Sequence, residues 1–125
     1  MSGVDFLLDS NVIIGLLKSE PAANELKQDL GIGDKGNAFS QISRMELLSF
    51  KGLKPDEEAR INEFLSFCHR FQVDERIEAE TIAIRRQSKL LLPDAIIAAT
   101  AVVYGLTLVT LDKRLAKFME KWVGA

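Results

Sequence analysis

The segment Val4-Asp5-Phe6-Leu7-Leu8-Asp9-Ser10-Asn11-Val12-Ile13-Ile14-Gly15-Leu16-Leu17-Lys18 decides the fold. Val4 to Leu8 is a short apolar run of strand type. Asn11 to Lys18 then places Val12, Ile13, Ile14, Leu16 and Leu17 on nearly every side of a helix, which is too apolar for a surface position and so packs inside. Asp9 stands at the junction of the two. Working outward, the same strand-to-helix passage returns along the chain. Ala38 to Ile42 reads as a second strand and Ser43 to Phe50 as the helix after it, with Glu46 in its first turn. Phe71 to Val73 is a third strand, and Thr107 to Leu111 a fourth that ends at Asp112.

Helices fill the intervals. Pro21 suits the first turn of one running to about Leu30, and Gly31 to Gly36 breaks the chain with residues that accept positive φ. Gly52 marks the end of the Ser43 helix. Pro55 opens a helix whose Ile61, Phe64, Leu65 and Cys68 fall at i, i+3, i+4 and i+7, the stripe of a face laid on a sheet. Arg76 to Lys89 shows Ile77, Thr81, Ile84 and Ser88 on one side. Pro93 begins a nearly all-apolar helix through Val103, stopped by Gly105, and Leu115, Phe118, Met119 and Trp122 mark a final stripe. Alternating strands and helices require crossover connections, so the sequence predicts an α/β sandwich around a mostly parallel sheet. At 125 residues the expectation is a single domain over 1–125.

Composition removes several classes of function. Cys68 is the only cysteine and His69 the only histidine, which excludes disulfide frameworks and Cys–His zinc sites within one chain. Any metal must be held by oxygen. A Cys68–His69 nucleophilic dyad is disfavoured against a buried thiol beside a surface imidazole, because sequence neighbours on a helix do not face each other. The net charge of −2 speaks against a general nucleic-acid binder. The N-terminal residues lack the basic stretch of a signal peptide, and no run of about 18 apolar residues exists to span a membrane. A soluble, cytoplasmic protein is expected.

Four acids stand at junctions where a strand gives way to a helix or a buried helix begins: Asp9, Glu46, Asp94 and Asp112. Each has an ordinary explanation. Ser43 and Glu46 have the spacing of a capping box, Asp94 beside Pro93 complements a helix dipole, and Asp9 and Asp112 fit N-caps after strands. As a set they need more, because caps accept Ser, Thr and Asn equally well. Strand ends in such a sheet gather at one edge. Four carboxylates in one cleft repel strongly and must either take up protons or hold divalent cations.

The stretches Leu8-Asp9-Ser10-Asn11, Ser43-Arg44-Met45-Glu46-Leu47, Asp94-Ala95-Ile96-Ile97-Ala98-Ala99-Thr100-Ala101 and Leu108-Val109-Thr110-Leu111-Asp112 resemble, in order and combination, those of PIN domains. Within that group the chain is similar to the small VapC-type ribonuclease toxins, over Phe6 to about Phe118. The resemblance implies a three-layer α/β/α sandwich, Mg²⁺- or Mn²⁺-dependent hydrolysis of RNA, homodimerisation, and inhibition by a cognate antitoxin. Carried over by position, Asp9 and Asp94 match the acids of the principal metal, and Glu46 and Asp112 those that complete the site. Ser10, Asn11 and Thr110 match polar positions beside it. Lys113, Arg114 and Leu115 depart from the pattern, since members often carry a second polar or acidic residue there, which puts a second metal in doubt.

Lys113 and Arg114 are candidates for RNA phosphate contact. Arg85, Arg86 and Lys89 are weaker ones, more simply read as a solvated helix face. Other readings are a housekeeping PIN nuclease of RNA processing, a non-catalytic PIN-like module that binds RNA or a partner, and a receiver-like phosphoryl-transfer domain. The last is disfavoured because Asp9-Ser10-Asn11 lacks a second aspartate at +2. Apolar residues around Ala22 to Leu30, Phe50 and Phe64 to Phe71 exceed what one sheet face covers, so a dimer interface is expected there.

Overall fold

The strands are brief and their order fixes everything about the site. The structure, a computed structural model, describes residues 3–123. In chain order the elements are β1 (Phe6–Leu8), α1 (Ser10–Leu17), α2 (Pro21–Asp29), β2 (Asn37–Ser40), α3 (Gln41–Leu48), α4 (Pro55–Ser66), β3 (His69–Phe71), α5 (Glu75–Gln87), α6 (Leu92–Tyr104), β4 (Thr107–Val109) and α7 (Lys113–Val123). The sheet runs β3-β2-β1-β4 and every pairing is parallel. Leu7 sits between Ala38 and Leu108 in register. The direction of winding therefore reverses between β1 and β4. In open parallel sheets the crevice beyond the strand ends at such a reversal is where ligands bind. Asp9 follows β1 and Asp112 follows β4, so they flank it.

Alternation along the strands covers both faces. Leu8, Phe39 and Val109 join Val12, Ile13, Leu47, Ile61 and Leu65 in one core. Leu7 and Ala38 point the other way, onto Ile97 and Ala101 of α6. A further cluster locks α5, α6 and α7 through Ile77, Ile84, Ala98 and Leu115. The architecture is the expected three-layer PIN-like sandwich, with an entirely parallel sheet.

Local departures have local causes. β2 stops at Ser40, whose Oγ accepts the Ile42 N–H at 3.2 Å, so α3 starts two residues before Ser43. Ser43 thus lies inside the helix, and the expected Ser43–Glu46 capping box does not exist. Glu46 belongs to the second turn and is free of any capping duty. The third strand is His69–Phe71 rather than Phe71–Val73, because β3 pairs Ala38 with His69 and Ser40 with Phe71. Ile14 is 38% exposed, so α1 is not enclosed on every side. Of the expected dimer surface, Ala23 is buried, and Leu26 and Phe64 pack against the core. Leu30, Phe50 and Phe67 stand out from it. Gly105 closes α6 at φ 64°, a left-handed C-cap that favours glycine.

Candidate active site

Asp9 is only 6% exposed and caps α1 through its backbone-facing oxygen, accepting the Ser10 N–H at 2.8 Å. Its other oxygen accepts from Thr110 Oγ1 at 2.8 Å and Asn11 Nδ2 at 3.3 Å. Burial pushes the Asp9 pKa up and the Asp112 charge adds to this, while the Thr110, Ser10 and Asn11 hydrogen bonds pull it down. A buried carboxylate with three donors is placed to remain an anion at a cost that a cation would relieve.

Thr110 and Asn11 knit the two strand ends together. Thr110 Oγ1 also accepts the Asp112 N–H at 3.0 Å, and Asn11 Oδ1 accepts the Leu111 N–H at 3.0 Å. Asp112 caps the first turn of α7, its Oδ1 accepting from Arg114 N at 2.9 Å and Leu115 N at 3.2 Å. Glu46 reaches across from α3, where Ser10 Oγ donates to its Oε1 at 3.0 Å. Partial burial raises its pKa, the Ser10 bond opposes that, and the charges of Asp9 and Asp94 raise it further. Asp94, in the first turn of α6, is raised by burial and then by Asp9 and Asp112, and lowered by Arg114.

All four acids, brought from four separate segments, line one cavity of about 440 Å³ together with Ser10 and Asn11. Its donor set is wholly oxygen, the chemistry of a hard divalent cation. The carboxylates share the cleft without being preset as a cage. Among the described residues no three His, Cys, Asp or Glu side chains already stand where they would grip an ion. Glu46, the most exposed of the four, is the one with freedom to close around an ion.

The cavity has a second character that sequence reading missed. Ile14, Leu17, Leu47, Phe50, Leu53 and Ile61 form an apolar wall, and Lys18, Glu57 and Arg60 complete the lining. Arg60 Nη2 donates to Leu17 O at 2.6 Å. Lys18 lies one turn from Ile14 on α1, a spacing that could have flagged it. Arg60 offered no such signal, because only the tertiary packing that sets α4 beside the end of α1 brings it near. Lys113 and Arg114 are exposed and neither lines the cavity. Arg85 Nη1 is committed to Leu90 O at 2.8 Å, and Arg86 and Lys89 are exposed. Cys68 and His69 lie apart from the acids: the thiol donates to Phe64 O at 3.6 Å and burial raises its pKa, so it is no thiolate.

A parallel α/β domain with an acidic, all-oxygen cleft at its winding reversal is a defined class of architecture. The chain belongs to the PIN domain family, whose pattern matches residues 6–121. It is similar to a chain of a toxin-antitoxin complex from Klebsiella pneumoniae, with 35% identity, a TM-score of 0.72, and 86% of this chain and 87% of that chain covered. It is also similar to the DNA-bound VapBC of Salmonella typhimurium, at 26% identity and TM-score 0.66, covering 82% of this chain and 83% of that chain. FitAcB from Neisseria gonorrhoeae shares the fold at 22% identity and TM-score 0.70, covering 92% and 93%. No curated protein matches the chain.

Proposed function

We propose that this protein is a divalent-metal-dependent endoribonuclease and the toxin of a VapBC-type toxin–antitoxin pair, a single PIN domain acting in the cytoplasm. The observation that carries the reading is the meeting of Asp9, Glu46, Asp94 and Asp112 on one cavity at the winding reversal. The likeness to chains of toxin–antitoxin complexes supports it.

Asp9, Glu46, Asp94 and Asp112 would hold Mg²⁺ or Mn²⁺, which when bound supplies a more acidic water and offsets charge building on the phosphate. The chain's own residues prepare the rest. Thr110 and Asn11 fix the carboxylate of Asp9, and Ser10 holds Glu46 by one oxygen, so that Glu46 can take a proton from the attacking water. Water as nucleophile leaves the ribose 2′-OH unused, and with the 3′-oxygen as leaving group the products carry a 5′-phosphate and a 3′-hydroxyl.

The apolar wall suits a peptide better than RNA, since among the described residues Phe50 is the only aromatic ring on the cavity and base stacking needs such platforms. An antitoxin segment with apolar side chains against Ile14, Leu47 and Leu53, and an Arg or Lys between the carboxylates, would occupy the cleft and exclude substrate. The deciding experiment incubates the chain with structured and single-stranded RNA under Mg²⁺, Mn²⁺ or EDTA, beside Asp94→Asn. Metal-dependent cleavage with 5′-phosphate ends, absent from the variant, is the expected result. Cleavage that persists in EDTA or in Asp94→Asn would refute the assignment.

A further inference from the structure

The cavity that holds the acids also holds two cations, and helix α1 joins the two. Ser10, Ile14 and Leu17 fall at i, i+4 and i+7, with Asn11 and Lys18 beside them, so one face of α1 forms the floor. The acids stand at the N-terminal end of this floor and Lys18 at its C-terminal end, about 13 Å away at the rise of an α-helix. Arg60 of α4 is fixed at that same far end, where its Nη2 donates to Leu17 O at 2.6 Å. The ordinary reading of such a pair is that it offsets the negative end of α1. One guanidinium nitrogen meets that need. Among the described residues neither Lys18 nor Arg60 forms an ion pair, so the ammonium and the rest of the guanidinium are free to bind an anion. Glu57 also lines the cavity, but its Oε1 accepts the Lys54 N–H at 3.0 Å.

Between the charged ends α1 offers Ile14, and Leu47, Phe50 and Leu53 complete an apolar lining. An RNA strand laid along α1 sets phosphates over that lining with no cation to meet them, whereas a peptide sets an apolar side chain there. At about 440 Å³ the cavity is too small for a helical partner of that length, which with its side chains is about 10–12 Å across, and so selects an extended chain. Extended residues rise by about 3.3 Å each and alternate faces, so residues i, i+2 and i+4 point one way and span about 13 Å. We propose that Lys18 and Arg60 form a carboxylate-binding subsite, and that the cleft takes an extended partner segment of the pattern Arg/Lys-x-apolar-x-Asp/Glu, its basic residue among the four acids and its acidic residue on this pair. The inference rests on the reading of the cleft as the antitoxin's docking site, and adds which residue stands at the far end of the docked segment.

The probe is a synthetic peptide with blocked ends, Arg-Ala-Leu-Ala-Glu, together with its reverse, Glu-Ala-Leu-Ala-Arg, since either chain direction satisfies the spacing. Each is titrated without metal into the full isotope-labelled chain and followed by amide NMR shifts, beside a counterpart carrying Gln for Glu. In one of the two directions the Glu peptide is expected to bind roughly two- to fivefold tighter than its Gln counterpart, the worth of a solvent-exposed ion pair. Lys18→Gln and Arg60→Gln each reduce that ratio, the double variant brings it to one, and Arg60→Lys keeps most of it. Lys18→Gln leaves the Arg60 bond to Leu17 O in place, so it decides the matter if Arg60→Gln loosens α1. Circular dichroism of each variant verifies the fold. A Glu peptide that binds the native chain no better than its Gln counterpart overturns the subsite alone and leaves the antitoxin reading of the cleft standing. Failure of both directions to bind overturns the two together. Weaker binding of single-stranded RNA by the double variant, with the Glu-to-Gln ratio at one on the native chain, makes the pair a phosphate contact and likewise overturns the subsite. Cleavage is not the readout, so the nuclease assignment stands or falls separately.

Discussion

Asp9 illustrates how a single residue serves two masters, as an N-cap for α1 and as a buried charge facing other acids. Asn keeps the cap and removes the charge. Asp9→Asn or Asp94→Asn is therefore expected to abolish cleavage while leaving the metal-free melting temperature unchanged or raised, measured by calorimetry in EDTA. A large loss of stability with cleavage retained would mean that capping is the whole role. The pH dependence follows with a definite sign. Asp9, Glu46 and Asp94 have folded pKa values above their ordinary 3.8, 4.5 and 3.8, so their contribution to stability is full below those values and lost as pH rises through the folded ones. Acidifying the metal-free protein from neutral pH down toward the ordinary carboxylate values should raise its melting temperature, and Asp94→Asn should shrink that gain. Asp74, lowered by its hydrogen bond from Tyr104, works in the opposite sense but only below its ordinary 3.8, outside this window. Ser43 offers an independent check on packing: it is fully buried with an unpartnered Oγ. Ser43→Ala removes an unsatisfied hydroxyl and is expected to leave stability equal or up to about 1 kcal/mol higher by urea denaturation. A loss above about 1 kcal/mol would show that the hydroxyl has a partner.

Elements were legible where periodicity was strong and illegible where one cap competed with another. The stripes of α4, α5 and α7, the Pro starts of α2, α4 and α6, and the Gly105 stop were all readable in the sequence, because each rests on local chemistry. The start of α3 was not. Ser40 and Ser43 are equally good N-caps in isolation, and the choice is made by how far β2 pairs with β3, a long-range fact. That slip concealed the informative property of Glu46, its freedom from capping. Gly15 is a second case in which a tertiary contact decides. By helix propensity alone, Gly15→Ala should stabilise α1 by about 1 kcal/mol. A Cβ there would stand 2.6 Å from the Ala23 Cβ of α2, closer than two carbons can approach. Overpacking of this kind costs roughly 1–3 kcal/mol and wins. Gly15→Ala is thus expected to be destabilised in thermal melts and, because α1 carries Asp9, Ser10 and Asn11, to lose activity as well. A variant as stable as the native chain would show that α2 can move aside without cost.

At the scale of the whole molecule, strand order is what sequence could not supply. Acids at strand ends were visible, but their meeting depends on β1 lying between β2 and β4, and the apolar wall with Arg60 depends on α4 folding back over α1. Exposure was no more readable. Within Ala22 to Leu30, Ala23 and Leu26 are internal and Leu30 is exposed, while the most exposed leucines are elsewhere. Leu91 is 70% exposed and Leu92 52%, at the start of α6 three and two residues from Asp94. Leu91 also occupies the N-cap of α6, where it makes no side-chain cap bond. A Ser or Asp there would contribute about 1 kcal/mol, so in a monomer leucine forfeits a cap and gains only apolar exposure. Phe50, by contrast, belongs to the cavity wall that the proposed antitoxin segment would cover, and Phe67 borders a hollow shared with Lys27 and Asp34. The dimer is therefore expected to close over Leu91 and Leu92, beside the acidic cleft. Light scattering of the native chain should give about twice the 13.9 kDa of one chain. Leu91→Glu combined with Leu92→Glu should reduce it to a monomer, whereas Phe67→Glu should leave the dimer intact. A native monomer at micromolar concentration, or dissociation by Phe67→Glu and not by the leucine pair, would refute this placement.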